Sequence, residues 1–124
     1  MIETNQTPAA GFYGLGIAPK LLEALDKLKF TTPTPIQHKA IPVAAEGHDM
    51  VGIAQTGTGK TIAFAIPMIQ QLAAREGKGL VLVPTRELAV QVTREFGGLG
   101  KYRHAREKAI YGGVSYAPQE RALQ

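Results

Sequence analysis

The 124-residue chain contains no cysteine. Disulfides and thiolate metal sites are therefore excluded, which fits a reducing compartment, and a cytoplasmic location is expected. Its three histidines, at positions 38, 48 and 104, show no ligand spacing and read as surface residues. No apolar run reaches the length of a membrane span, because Asp, Lys, Gln or Pro interrupts each one. Residues 1–10 are polar and lack the basic-then-apolar order of a signal peptide, so a loose tail is expected there. No internal repeat is visible. The scarcest functional group is aspartate. Asp26 and Asp49 are the only two, and neither follows an apolar run in the second half of the chain.

What is present is enough for one ordinary domain, with 44% hydrophobic residues. The net charge of +4 is unevenly placed. Residues 1–50 carry four lysines against five acids, and residues 51–124 carry ten basic groups against five acids. The densest basic run, Lys101 to Lys108, includes Tyr102 and has the look of a nucleic-acid contact. A solvated loop between a helix and a strand accounts for it better, although it adds long-range attraction for a polyanion.

The most informative segment is Ala54 to Thr61, AQTGTGKT. Before it, Asp49 to Ile53 has the length and bulk of a buried strand; after it, Lys60 to Ile66 opens a helix. Gly57 and Gly59 allow backbone angles closed to other residues, so amide groups can converge on phosphate oxygens at a helix N-terminus. Lys60 can reach the β- and γ-phosphates, and the Thr61 hydroxyl can hold Mg²⁺. Ala54 stands where the general pattern wants glycine. On this segment alone, small-molecule kinases, GTPases, transport ATPases and helicases all remain open.

Upstream, Phe30-Thr31-Thr32-Pro33-Thr34-Pro35-Ile36-Gln37 offers an aromatic face and a carboxamide. A carboxamide can pair with the donor and acceptor that adenine presents side by side, whereas guanine presents two acceptors there. Taken alone, these residues fit a surface amide and a core aromatic better. Downstream, Leu80 to Val83 suggests a strand buried on both faces. Thr85 then caps a helix whose inward face is Leu88, Val92 and Phe96. Arg86, at the carboxyl end of that strand, is either a phosphate clamp or a solvated arginine paired with Glu87 or Glu95. Ala109 to Tyr111 is a third strand candidate. Gly112-Gly113 after it permits close backbone approach or makes an ordinary turn.

The remaining helices complete an alternating pattern. Pro19 begins one with Leu21, Leu22, Leu25 and Leu28 on a single face. A second carries Ile36, Ala40 and Val43, is interrupted at Pro42 and ends at Gly47. The helix after the phosphate loop runs to about Ala74 with a kink at Pro67. A last helix starts near Ser115 with Ala122 and Leu123 inward. This alternation implies an α/β fold with parallel strands and right-handed crossovers. The expected division is a tail over 1–10, a helical preface over 11–48 and a nucleotide-binding part over 49–124.

Together these segments resemble the first half of a DEAD-box RNA helicase. FTTPTPIQ resembles that family's Q motif, AQTGTGKT its motif I including Ala54, PTRELA its motif Ia, and Gly112-Gly113 its paired-glycine motif. Phe12 sits where the family carries an isolated upstream aromatic. Lys29 departs from the glycine usual before Phe30, which on this reading costs a flexible hinge but no contact group. The resemblance implies a P-loop NTPase with a RecA-like parallel sheet flanked by helices, of which about three strands are present. It implies ATP, Mg²⁺ and RNA as ligands. Phe30 would stack on adenine and Gln37 would read its edge. Ala54, Gln55, Thr56, Gly57, Thr58, Gly59, Lys60 and Thr61 would hold the phosphates, with Lys60 and Thr61 closest to the chemistry and Thr61 on Mg²⁺. Pro84, Thr85, Arg86, Gly112 and Gly113 would line RNA through sequence-nonspecific backbone contacts.

The carboxylate motif that names the family, the Ser-Ala-Thr motif and the second RecA-like domain have no counterpart in these residues. The chain therefore reads as an ATP-grasping fragment that is inactive alone and marginally stable. The alternative is a non-catalytic nucleotide- or RNA-binding module. Another P-loop ATPase or kinase is a third reading, which leaves Gln37 without a purpose.

Overall fold

The computed structural model describes residues 11–55, 57, 59–100, 108–112 and 115–124. The expected tail over 1–10, Thr56, Thr58, Lys101 to Glu107 and Gly113 lie outside the described residues. Five helices follow in order: α1 (Pro19–Lys27), α2 (Pro35–Ala45), α3 (Lys60–Ala74), α4 (Arg86–Gly100) and α5 (Tyr116–Leu123). α2 packs along α3, α3 packs on α4, and α1 packs on α4.

Local sequence sets the helix ends. Pro19 and Pro35 occupy first-turn positions, where a missing N–H costs nothing. Thr34 caps α2 through a reciprocal capping box with Gln37. α1 and α2 stop by the same device. At the end of α2, Gly47 takes φ 92, its N–H bonds Ala44 O at 3.0 Å, and His48 N–H bonds Val43 O at 3.4 Å. At the end of α1, Lys29 takes φ 70, its N–H bonds Asp26 O at 3.0 Å, and Phe30 N–H bonds Leu25 O at 2.8 Å. Both are Schellman stops, with a left-handed residue just past the helix. Glycine would be at home at position 29 because the backbone there is left-handed. The expected hinge is thus a fixed helix terminator.

One apolar cluster spans the preface and the phosphate-loop helix. Phe12, Leu15, Ile17, Leu21, Leu25 and Ile41 meet Ile62, Ala65, Ile66, Ile69 and Leu99 within it. Leu21, Ile41, Ile66 and Leu99 are fully buried. Phe64 on α3 meets Phe96 on α4 with ring centroids 5.9 Å apart. Val92 is buried and Leu88 half-buried, as their helical spacing requires.

Several expectations change. Leu28 lies past the end of α1 and is exposed. α2 runs through Pro42 to Ala45, and its inward residues are Gln37, Ala40 and Ile41, while Val43 is exposed. A proline removes one intrahelical bond, and packing on α3 outweighs that loss. α3 likewise runs unbroken across a buried Pro67. In α5 the inward residue is Gln119, and Ala122 and Leu123 face solvent.

The three expected strands, 49–53, 80–83 and 109–111, form no hydrogen-bonded ladder among the described residues. Val51 is 88% exposed and Ile53 89%; Leu80 and Leu82 are exposed while Val81 and Val83 are half-buried. That period of two is the pattern of a strand, but a strand gets its backbone bonds from a neighbour, whereas a helix supplies its own.

Candidate nucleotide and polynucleotide site

The phosphate loop turns on two glycines used for different reasons. Gly57 has φ 80 with open space where a side chain would start. Gly59 has φ 84, and a Cβ there would overlap the Gln37 amide. Gly59 is the N-cap of α3 and provides no side-chain cap, so the first-turn amides of α3 have no cap acceptor. Such a helix start favours an anion. Lys60 stands exposed as the first residue of α3, and Thr61, half-buried, is the second. Ala54 is half-buried and Gln55 exposed just before the turn.

Gln37 is 2% exposed, too buried for a surface amide. Its Oε1 accepts from Thr34 N at 2.9 Å, and its Nε2 donates to Gly59 O at 3.1 Å. The α2 start is thereby bonded to the α3 start. A carboxamide has two N–H groups and two acceptor lone pairs, so one of each is left over. Phe30 is 38% exposed, and its backbone is held by the α1 Schellman stop.

A cleft of about 1140 Å³ is lined in part by Gly57, Gly59, Lys60, Thr61, Phe64 and Val92. Phe30 and Gln37 do not line it. Among the described residues, no group of three or more His, Cys, Asp or Glu could hold a metal ion. The Thr61 hydroxyl is thus a single neutral oxygen, suited to Mg²⁺ only when phosphates and water provide the other ligands.

The second group of candidate residues lies at the start of α4. Pro84, Thr85 and Arg86 are all exposed. Thr85 Oγ1 accepts from Leu88 N at 3.1 Å, as a helix cap should. Arg86 Nη1 donates to Gly112 O at 3.4 Å, which brings motif Ia and the first glycine of the pair together. Neither glutamate takes that bond. Arg86, Arg94 and Tyr111 border a hollow of about 670 Å³.

Two glutamines not singled out in the sequence hold backbone with both amide atoms. Gln119 Oε1 accepts from Tyr111 N at 2.7 Å, and its Nε2 donates to Ser115 O at 3.1 Å. Gln70 Oε1 accepts from Ala18 N at 2.6 Å, and its Nε2 donates to Gly16 O at 3.1 Å. Gln70 had a visible signal, since it continues the Ile62–Ile66 stripe at helical spacing.

A glycine turn leading into a helix headed by Lys60 and Thr61 has the arrangement of a P-loop. The DEAD/DEAH box helicase model matches residues 34–124. The chain belongs to the DEAD/DEAH box helicase family. It is 52% identical over 114 residues to an ATP-dependent rRNA helicase RRP3 of Meyerozyma guilliermondii, covering 90% of this chain and 24% of that protein. The RRP3 of Candida albicans is 50% identical over 114 residues, covering 90% and 21%. The chain thus spans about a quarter of the length of the curated relatives it matches. The fold is similar to Prp28 from Chaetomium thermophilum bound to ADP, with TM-score 0.83, 33% identity, and coverage of 96% of this chain and 31% of that one. It is also similar to a Saccharomyces cerevisiae Dbp5 variant bound to RNA and ADP BeF3, with TM-score 0.68, 35% identity, and coverage of 76% and 25%.

Proposed function

We propose that this chain is the nucleotide-grasping part of an ATP-dependent RNA helicase. The observation that carries the reading is the Gln37 amide, bonded at once to the α2 cap and to Gly59 of the phosphate loop. A base reader and a phosphate cradle are thereby one unit. Adenine stacks on Phe30, and the remaining donor and acceptor of Gln37 meet its N7 and N6 edge. The loop from Ala54 to Thr61, with Gln55, Thr56 and Thr58 in it, wraps the phosphates. The amides of Gly57 to Thr61 and the Lys60 ammonium hold the β- and γ-oxygens, and Thr61 gives Mg²⁺ its one protein oxygen. Bound there, Mg²⁺ would supply charge neutralisation at the phosphates.

Pro84, Thr85, Arg86, Gly112 and Gly113 form the RNA track. The exposure of Pro84, Thr85, Arg86 and Gly112 and the Arg86–Gly112 bond support this, as do relatives named rRNA helicases and a similar structure holding RNA. Residues 49–53, 80–83 and 109–111 are proposed as parallel strands of a RecA-like sheet. The similarity of the fold to Prp28, over 96% of this chain, supports that. Residues 11–48 serve as the helical preface and 49–124 as the nucleotide-binding part. No helix among the described residues is long and apolar enough to cross a membrane, and a cysteine-free chain goes with the cytoplasm.

Hydrolysis needs an acidic Mg²⁺ partner and a water-positioning group, and Asp26 and Asp49 both precede the loop rather than following a strand downstream of it. The 124-residue chain is expected to bind ATP and to turn over none. Titration of ATP with Mg²⁺ tests the binding, and absence of any heat or fluorescence change would overturn the reading. ATP hydrolysis that disappears in Lys60→Ala would refute the claim of no turnover.

A further inference from the structure

We propose that Gln70 is a positioning residue for the adenine platform, acting through helix α1. This rests on the adenine reading above. Gln70 lies on α3, roughly 16 Å along the helix from Gly59 at 1.5 Å per residue. Its Oε1 accepts the N–H of Ala18 at 2.6 Å, and its Nε2 donates to the carbonyl of Gly16 at 3.1 Å. Ala18 is the N-cap of α1 and has no side-chain cap of its own. Gln70 therefore does for α1, from another helix, what Gln37 does for α2 within its own capping box.

The grip falls on a defined piece of backbone. Gly16 has φ 88, a left-handed turn, and Leu15 and Ile17 on either side are buried in the core. From Ala18, α1 runs nine residues as a single rigid rod of roughly 14 Å. Its far end is the Schellman stop in which Phe30 N–H bonds Leu25 O at 2.8 Å. The backbone of Phe30 is thus fixed to α1, and α1 is fixed to α3 at Gln70. Along its length α1 packs on α4, and the Gln70 amide bonds its start directly to α3. The phosphate cradle sits at the head of α3 and the base platform at the tail of α1. Gln70 is a bonded link between them, beside the apolar cluster that Leu21 and Leu25 share with Ile66 and Ile69.

This arrangement makes a selective prediction. Losing the clamp shifts the base platform and leaves the cradle, held by Gln37 and the α3 backbone, in place. ATP and inorganic tripolyphosphate, each with Mg²⁺, are titrated into the 124-residue chain and into Gln70→Leu and Gln70→Glu. Gln70→Leu weakens ATP by about tenfold, as expected for a misplaced stacking face, and leaves tripolyphosphate within about twofold, within the few tenths of a kcal/mol usual for a distant site. Gln70→Glu keeps the acceptor for Ala18 N–H but sets a carboxylate oxygen against Gly16 O in place of the donor, so its effect has the same sign. If Gln70→Leu fails to fold, the glutamate variant carries the same comparison. An ATP affinity unchanged in a folded variant, or a parallel loss of tripolyphosphate, overturns the proposal. Fast hydrogen exchange of the Ala18 amide in the wild-type chain would overturn the clamp itself. A wild-type chain that binds ATP no better than tripolyphosphate removes the adenine reading, and the role of Gln70 with it.

Discussion

The proposed nucleotide side and the proposed polynucleotide side of this chain are built in different ways. On the nucleotide side, every element is locked to another. Gln37 is buried between the α2 cap and Gly59, Gln70 ties α1 to α3, and α3 lies against the apolar cluster through Ile62, Ile66 and Ile69. On the polynucleotide side, Pro84, Thr85 and Arg86 stand in solvent, and the bond from Arg86 to Gly112 O is long at 3.4 Å. The contrast is what the proposed ligands would require. A nucleotide is small and must be met by preplaced donors. A polyanion spreads its binding over many screened contacts, each weak.

The largest effect is expected beneath the nucleotide side. Ile66 is fully buried. Ile66→Ala should cost about 3 kcal/mol of stability through lost burial and a residual cavity, read by chemical denaturation. Leu82, 85% exposed, should tolerate alanine with a change under about 0.5 kcal/mol. Equal losses at the two positions would erase the comparison.

Next comes Lys60→Ala, which removes a charge-assisted contact to phosphate. ATP affinity should fall roughly a hundredfold, with single-stranded RNA binding retained. Loss of both together would mean that the two sides are not separate.

Lys29→Gly should add about 1 kcal/mol, because a left-handed backbone strains a residue that carries a Cβ. A melting temperature that falls would show that the lysine stem contributes more than the strain costs. The smallest effect belongs to the open side. Arg86→Ala should weaken RNA only a few-fold and lower the salt slope by about one, seen as the anisotropy of a labelled RNA across salt concentrations.

Much of the nucleotide side was legible because its signals are local. Proline at a first turn, threonine before a helix, glycines around a lysine and leucines at helical spacing each act within a few residues. Lys29 shows where local reading stops short. Its position was noticed, but the reason lay in a backbone angle rather than in flexibility. Gln37 read as an ambiguous amide because its burial depends on Gly59, twenty-two residues away. Gln70 continues a stripe that was legible, but its partners Gly16 and Ala18 are distant backbone atoms; Gln119 holds nearby backbone at Tyr111 and Ser115, which leaves no mark in side-chain pattern. The expected strands at 49–53 and 80–83 have the composition of strands, yet no ladder joins them among the described residues, and Leu80 and Leu82 stand exposed where burial on both faces was expected. A helix closes its bonds within itself, and a strand depends on what lies beside it.

The most direct test of the account is competition between ATP and GTP for the 124-residue chain in the presence of Mg²⁺. A carboxamide that pairs with adenine and meets two acceptors on guanine predicts a preference for ATP of at least about tenfold. That preference should vanish in Gln37→Ala. Equal affinity for ATP and GTP in the wild-type chain would contradict the assignment of Gln37, and would leave a phosphate loop that does not read its base.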